Sequence, residues 1–146
     1  MHLTSPAFDS NGPIPSRSTC DGEGERPPLL IGDVPPLAKS LALYVLDPDA
    51  PMGTFVHWVA WNIPPQTTQI HGEESFPGME GKNSVGKTGY MGPCPPSGVH
   101  HYHFTLFALD TMLDLPPTTG KAELLAAIEG HELVRAELVG WYQRMR

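Results

Sequence analysis

Proline sets the strongest limit on what this chain can become. It occupies 17 of the 146 positions, more than double its usual share of ~5%. Each proline fixes φ and removes a backbone donor, so prolines inside helices break them. Such a chain cannot be mostly helical. With 15 glycines added, it reads as compact, loop-rich and β-biased. It is also too apolar for disorder. Hydrophobic residues make up 40% and charged ones 17%, whereas disordered chains combine low hydrophobicity with high charge. A chain of this length is expected to form one domain over residues 1–146 and to bury ~70% of its unfolded surface.

Three segments carry strand character. Residues 41–46 are continuously apolar, as suits a strand buried on both faces. Asp47-Pro48-Asp49-Ala50-Pro51 stops that run, since proline cannot sit in a central strand. A second segment runs from Phe55 through His57 and Trp58 to Ile63 and ends at Pro64-Pro65. A third runs from His100 to Leu109, rich in aromatics, and ends at Asp110. Nothing helical separates them, which favours an antiparallel sheet or sandwich. Residues 1–39 hold only short apolar pieces and read as edge strands and loops. At the C-terminus the period changes. Leu124, Leu125 and Ile128 form one helical stripe, and Val134, Leu138, Trp141 and Tyr142 form another. Gly130 interrupts them, and Pro116-Pro117-Thr118-Thr119-Gly120 supplies a start signal. Two short helices packed on the sheet are predicted between about 120 and 144.

Charge narrows the partners. Nine basic against 16 acidic residues give a formal net charge of −7, and no basic run exists. Non-specific nucleic-acid binding and polybasic membrane attachment both need clustered Lys and Arg. A small anion remains a candidate ligand, provided local donors work against the overall field. Cys20 and Cys94 are the two cysteines. No CxxC is present, which removes the zinc ribbon and the thioredoxin motif. The two cysteines leave their pairing open, and Cys94 alone reads as a small buried filler. The N-terminus lacks a basic region followed by an apolar one. The longest apolar run falls far short of the ~20 residues of a membrane helix. A soluble, cytoplasmic protein is the expectation.

Alternation along strands groups the candidate chemistry. His57 shares a face with Phe55, Val59 and Trp61. His100, Tyr102, Phe104 and Leu106 share another, with His101 and His103 opposite. His57, His100 and Tyr102 can therefore meet if their faces look into one pocket. Two loops adjoin those strand ends, 47–51 and 86–98. Glycines in the second let backbone N–H groups approach an anion, and prolines stiffen both. Taken singly, each feature has a plainer reading. Asp47 and Asp49 suit Asx-turns, and a histidine on an aromatic face suits a hydrogen-bonded core. The His101/His103 pair lacks a third ligand at fixed spacing, so no metal and no cofactor are expected.

Together the segments resemble the phosphatidylethanolamine-binding protein family, closest to its bacterial and archaeal Raf-kinase-inhibitor-like branch. The resemblance begins at Phe8, Gly12, Ile14-Pro15 and Thr19-Cys20-Asp21-Gly22. It continues through Pro27-Pro28-Leu29, the DPDAP run 47–51, His57-Trp58-Val59 and Ile63-Pro64. Its most specific block is Gly89-Tyr90-x-Gly92-Pro93-Cys94-Pro95-Pro96-x-Gly98-x-His100-x-Tyr102-x-Phe104. The resemblance implies a mostly β sandwich, with a large antiparallel sheet, a smaller one and C-terminal helices. It also implies a small pocket for phosphate-like anions, walled by Asp47, Asp49, Pro51, His57, Gly92, Cys94, Pro95, His100 and Tyr102. A cis-proline in the DPDAP turn and a homodimer are implied as well. Three departures stand out. His101 replaces an arginine frequent in the family, the 49–57 loop is short, and the chain stops at Arg146. Kinase regulation by the longer eukaryotic branch is therefore not carried over.

The function so implied is a non-catalytic module binding a phosphorylated small molecule, lipid head group or phospho-side chain, with a kinase or protease as an unidentified protein partner. A phosphate placed against two carboxylates would be repelled. Asp47 is therefore expected to hydrogen-bond an imidazole, that of His57, and to raise its pKa. Tyr102, His100 and backbone N–H groups would then donate to the anion. Asp49 would meet any ammonium on the ligand. No GxSxG elbow or activated nucleophile is visible. Two alternatives come from other classes. One is a metal-dependent hydrolase using His57, His100, His101 and His103 with the two aspartates. The other is an inhibitor or scaffold presenting the 70–79 loop.

Overall fold

The computed structural model describes residues 1–72 and 75–144. Glu73 and Glu74, inside the 70–79 loop, lie outside the described residues, as do Met145 and Arg146. Besides a single 3-10 turn at Ser16–Ser18, nine strands and one α-helix follow in chain order among the described residues. They are β1 (His2–Thr4), β2 (Gly12–Pro13), β3 (Leu29–Gly32), β4 (Ser40–Asp47), β5 (Phe55–Ile63), β6 (Gln69–Ile70), β7 (Met79–Glu80), β8 (His100–Leu109), α1 (Lys121–Ile128) and β9 (Glu132–Tyr142). The larger sheet has the order β2-β9-β8-β4-β5-β7, and the smaller β1-β3-β6. All pairings are antiparallel except β2 beside β9.

Strand β4 is apolar throughout because both its faces are covered. Leu41, Leu43 and Val45 face the small sheet, where they meet Leu29, Ile31 and Ile70. Ala42 and Tyr44 face the other way, toward α1, whose Leu124 and Ile128 close over Val59, Trp61 and Phe107. Burying a leucine or isoleucine contributes about 1.5–3 kcal/mol. These two cores, one on each side of the large sheet, therefore hold β4, β5 and β8 rigidly. The functional side chains sit at the ends of those three strands.

The C-terminal expectation was half right. Leu124, Leu125 and Ile128 do lie on α1, and the chain turns away after it at Gly130, with φ at 84°. Residues 132–142 form a strand instead of a second helix. Val134, Leu138 and Tyr142 are spaced by four, which satisfies a helical stripe and a strand face alike. The β8 edge settles the matter, because β9 pairs along it from Leu109↔Glu132 to His100↔Tyr142. Leu138, Gly140 and Tyr142 are buried in alternation as a result. The implied cis-proline is also corrected: the described peptide bonds are all trans. An Asx-turn reverses the chain there, with the Asp49 N–H donating to Asp47 Oδ1 at 2.8 Å.

Candidate functional site

The register at one end of the large sheet brings the site together. Strand β4 ends in Asp47, which lies opposite Phe55 at the start of β5. Val45 pairs with Trp58, yet Leu46 pairs with Val56, so His57 is one extra residue on β5. Such a bulge turns two successive side chains toward the same side. Trp58 belongs to the core under the small sheet, and His57 leans the same way, with its ring centroid 5.2 Å from that of Tyr102. Val59 and Trp61 face the helix instead. Grouping His57 with those two was therefore wrong. Its meeting with Tyr102 depends on the bulge, which strict alternation does not foresee.

Around these residues lies a cavity of about 230 Å³. Eight of the nine anticipated residues line it: Asp47, Pro51, His57, Gly92, Cys94, Pro95, His100 and Tyr102. Asp49 does not. It turns outward and accepts hydrogen bonds from the His101 N–H at 2.8 Å and from His101 Nδ1 at 2.9 Å. The side-chain hydrogen bond from His101 is the main reason its carboxyl is held below the usual range. Five lining residues were not anticipated: Ala50, Phe55, Val85, Met91 and Pro96. Phe55 had a signal, since alternation already joined it to His57. Val85 had none, because it reaches the cavity through a turn built on buried Asn83, whose Oδ1 accepts from the Val85 and Lys87 amides.

The polar groups of the cavity are already partly committed. Asp47 Oδ2 lies 2.7 Å from His100 Nδ1, and both side chains are buried. Asp47 Oδ1 takes the Asp49 amide. The plain reading of Asp47 as an Asx-turn and its role beside an imidazole thus both hold, through different oxygens. The imidazole is that of His100, however, not His57. His57 Nδ1 donates to the Met91 carbonyl at 2.7 Å, and the Met91 amide donates back to the His57 carbonyl at 2.9 Å. A carbonyl only accepts, so Nδ1 carries the proton and Nε2 is left with a lone pair. Burial pushes the His57 pKa down, outweighing the raising effects of the Met91 hydrogen bond and Asp47. The carboxylate thus acts in the expected direction, but the expected net rise is corrected to a fall, because burial is the larger effect. Tyr102 is 1% exposed, and its hydroxyl has no hydrogen-bond partner among the described residues. Burial first, then the charges of Asp47 and Asp49, push its pKa up beyond the ordinary range. It remains a protonated donor.

One wall of the cavity is the 91–96 segment. Cys94 in that wall forms a disulfide with Cys20, 74 positions away. Both cysteines are exposed, so the buried-filler reading of Cys94 is corrected. Gly92 packs so closely on the 15–24 loop that a Cβ would lie 2.8 Å from Ser18 O and 3.0 Å from Thr19 Cα. His101 and His103 face outward, paired with Asp49 and with Glu137 at 3.6 Å. Among the described residues no group of three His, Cys, Asp or Glu side chains is placed to hold a metal ion.

Comparison with known proteins agrees with this geometry. The family model for phosphatidylethanolamine-binding protein matches residues 4–143. A UPF0098 protein of Methanothermobacter thermautotrophicus is 51% identical, covering 99% of each chain. A second, from Pyrococcus horikoshii, is 48% identical over 96% of this chain and 75% of its own. Among solved structures, a phosphatidylethanolamine-binding protein homologue from Chlamydia trachomatis superposes with a TM-score of 0.96 at 40% identity, covering 99% of this chain and 97% of its own. An Escherichia coli member of the mammalian family gives 0.88 at 26% identity, covering 99% and 98%. The sheet order, the strand-end cavity and these likenesses converge: the chain belongs to the phosphatidylethanolamine-binding protein family.

Proposed function

We propose that this protein is a non-catalytic binding module whose strand-end cavity takes a phosphate-like anion, carried on a small molecule, a lipid head group or a phosphorylated side chain. The observation that carries the reading is the buried Tyr102 hydroxyl on the cavity wall, which has no hydrogen-bond partner among the described residues. Leaving such a donor unsatisfied costs about 1–3 kcal/mol, a cost that an oxygen-rich ligand removes. The imidazoles of His57 and His100 flank it, each with Nδ1 engaged. Their Nε2 atoms are the remaining polar positions on the rings. Asp47 repels a phosphate placed against it, so the anion sits toward Tyr102 and His57. A cytoplasmic address, a homodimer and a kinase or protease partner belong to the same proposal. Among the described residues no helix is long and apolar enough to cross a membrane.

Proton coupling gives the test. Nε2 of neutral His57 only accepts, whereas protonated it donates to an anion. Burial holds the His57 pKa in the free protein below the ordinary imidazole value, and a bound anion favours the charged ring. Affinity therefore rises as pH falls from the higher pKa of the complex to the depressed pKa of the free protein, and levels off on either side. Calorimetric titration of chelator-treated protein with O-phosphorylethanolamine, repeated from pH 5.5 upward, measures it. One saturable site that tightens toward acid is the expected result. Binding that appears only on adding zinc would overturn the reading in favour of a metal site.

A further inference from the structure

We propose that the Cys20–Cys94 bond is a reversible redox site that sets the affinity of the anion pocket. The inference rests on the pocket reading above and adds its regulation. Cys94 stands in the cavity wall between Gly92 and Pro95. Its sulfur is bonded to Cys20 of the 15–24 loop, so the bond ties the wall to a distant segment. Both cysteines are exposed, and exposed disulfides are the ones open to thiol exchange.

The surrounding hydrogen bonds decide which side moves on reduction. The 15–24 loop is anchored independently, because Asp21 accepts from the Tyr142 hydroxyl at 2.6 Å and from Arg144 at 3.3 Å. The wall keeps two links upstream of Cys94. The Cys20 N–H donates to the Pro93 carbonyl at 3.1 Å, and the Tyr90 hydroxyl donates to the Ser18 carbonyl at 2.7 Å. Reduction therefore leaves residues 90–93 docked, and the wall loses its covalent tie to the 15–24 loop at Cys94. From there it runs through Pro95, Pro96 and Gly98 (φ 70°) to His100.

The chemistry balances with a dithiol reductant. One of its thiolates attacks a sulfur of the Cys20–Cys94 bond and forms a mixed disulfide. Its second thiol resolves that intermediate. The products are two protein thiols and the oxidised, disulfide form of the reductant, with two electrons and two protons transferred. A wall held in place lowers the ordering cost of binding. The oxidised protein consequently binds the anion more tightly, by about tenfold for a coupling of ordinary size. Linkage makes this reciprocal, so bound anion renders the disulfide harder to reduce by the same factor.

The experiment titrates O-phosphorylethanolamine into the oxidised protein, the same protein reduced with dithiothreitol, and Cys20→Ser. Amide hydrogen exchange of Gly92, Cys94, Ser97 and Gly98, the residues of the 92–98 wall that carry an N–H, is followed in each state. The expected result is weaker binding and faster exchange in the reduced protein, with Cys20→Ser matching it whether or not reductant is present. A thiol-trapping titration in dithiothreitol buffers with and without the probe reads the reciprocal shift. Equal affinity in both states, or unchanged exchange in the wall, overturns the proposal. Absence of binding in every state overturns the anion reading instead and removes the affinity effect with it.

Discussion

Tyr102 carries a hydroxyl that the fold buries and that has no hydrogen-bond partner among the described residues, an arrangement that sets stability against binding. Its neighbours explain why. The His57 ring meets it edge-on and directs its own Nδ1–H to Met91, while Asp47 spends its oxygens on His100 and the Asp49 amide. Removing the hydroxyl should then stabilise the free protein. Tyr102→Phe is expected to raise the unfolding free energy by about 1 kcal/mol, the scale of an unsatisfied buried polar group. It should also weaken O-phosphorylethanolamine binding about tenfold, as loss of one hydrogen bond to a charged group implies. Urea denaturation and calorimetry on the same sample measure both. A variant that loses stability and keeps its affinity would show that the hydroxyl is held by something other than a ligand.

Strands β4, β5 and β8 were legible in the sequence because apolar runs and prolines bracket them within a residue or so. The site was legible up to the point where local geometry departs from the regular pleat. His100 and Tyr102 follow plain alternation along β8, so their shared face could be read. His57 reaches them through a bulge, and its partner is a carbonyl from a loop 34 positions away, which no local pattern encodes. Strand β9 failed for a related reason. Its apolar spacing fits two periods, and only pairing with β8 chooses between them. Gly140 is the position of β9 against which the N-terminal segment packs. A Cβ there would lie 2.6 Å from Phe8 Cε2 and 2.7 Å from Ile14 Cγ1, so the N-terminal segment packs directly on its backbone. Gly140→Ala should force those side chains aside at a cost of about 1–3 kcal/mol, the range for overpacking. A lowered urea midpoint with unchanged m-value is the signature. An unaltered midpoint would mean that Phe8 and Ile14 repack freely.

The two cores and the disulfide act together across the whole molecule. One core lies between the sheets and the other under α1, while the Cys20–Cys94 bond spans 74 positions. Closing a loop of that length removes denatured-chain entropy worth about 4 kcal/mol in the chain-entropy model. A domain of this size commonly has about 5–15 kcal/mol in total. The bond is therefore a large part of the stability without being all of it, and the cores keep the reduced protein folded. That condition is what makes a redox-sensitive pocket workable, since reduction loosens a wall instead of unfolding the chain. The Cys20→Ser/Cys94→Ser double variant should remain folded at room temperature, with unchanged far-ultraviolet circular dichroism. Its unfolding free energy should fall by up to about 4 kcal/mol relative to the oxidised protein. Equal urea midpoints for the two would mean that residual structure in the denatured chain, or strain the bond imposes on the native fold, cancels the loop-closure entropy. An unfolded variant would show that the cores alone cannot hold the sheet, and the bond would then be structural, with no room for a switch.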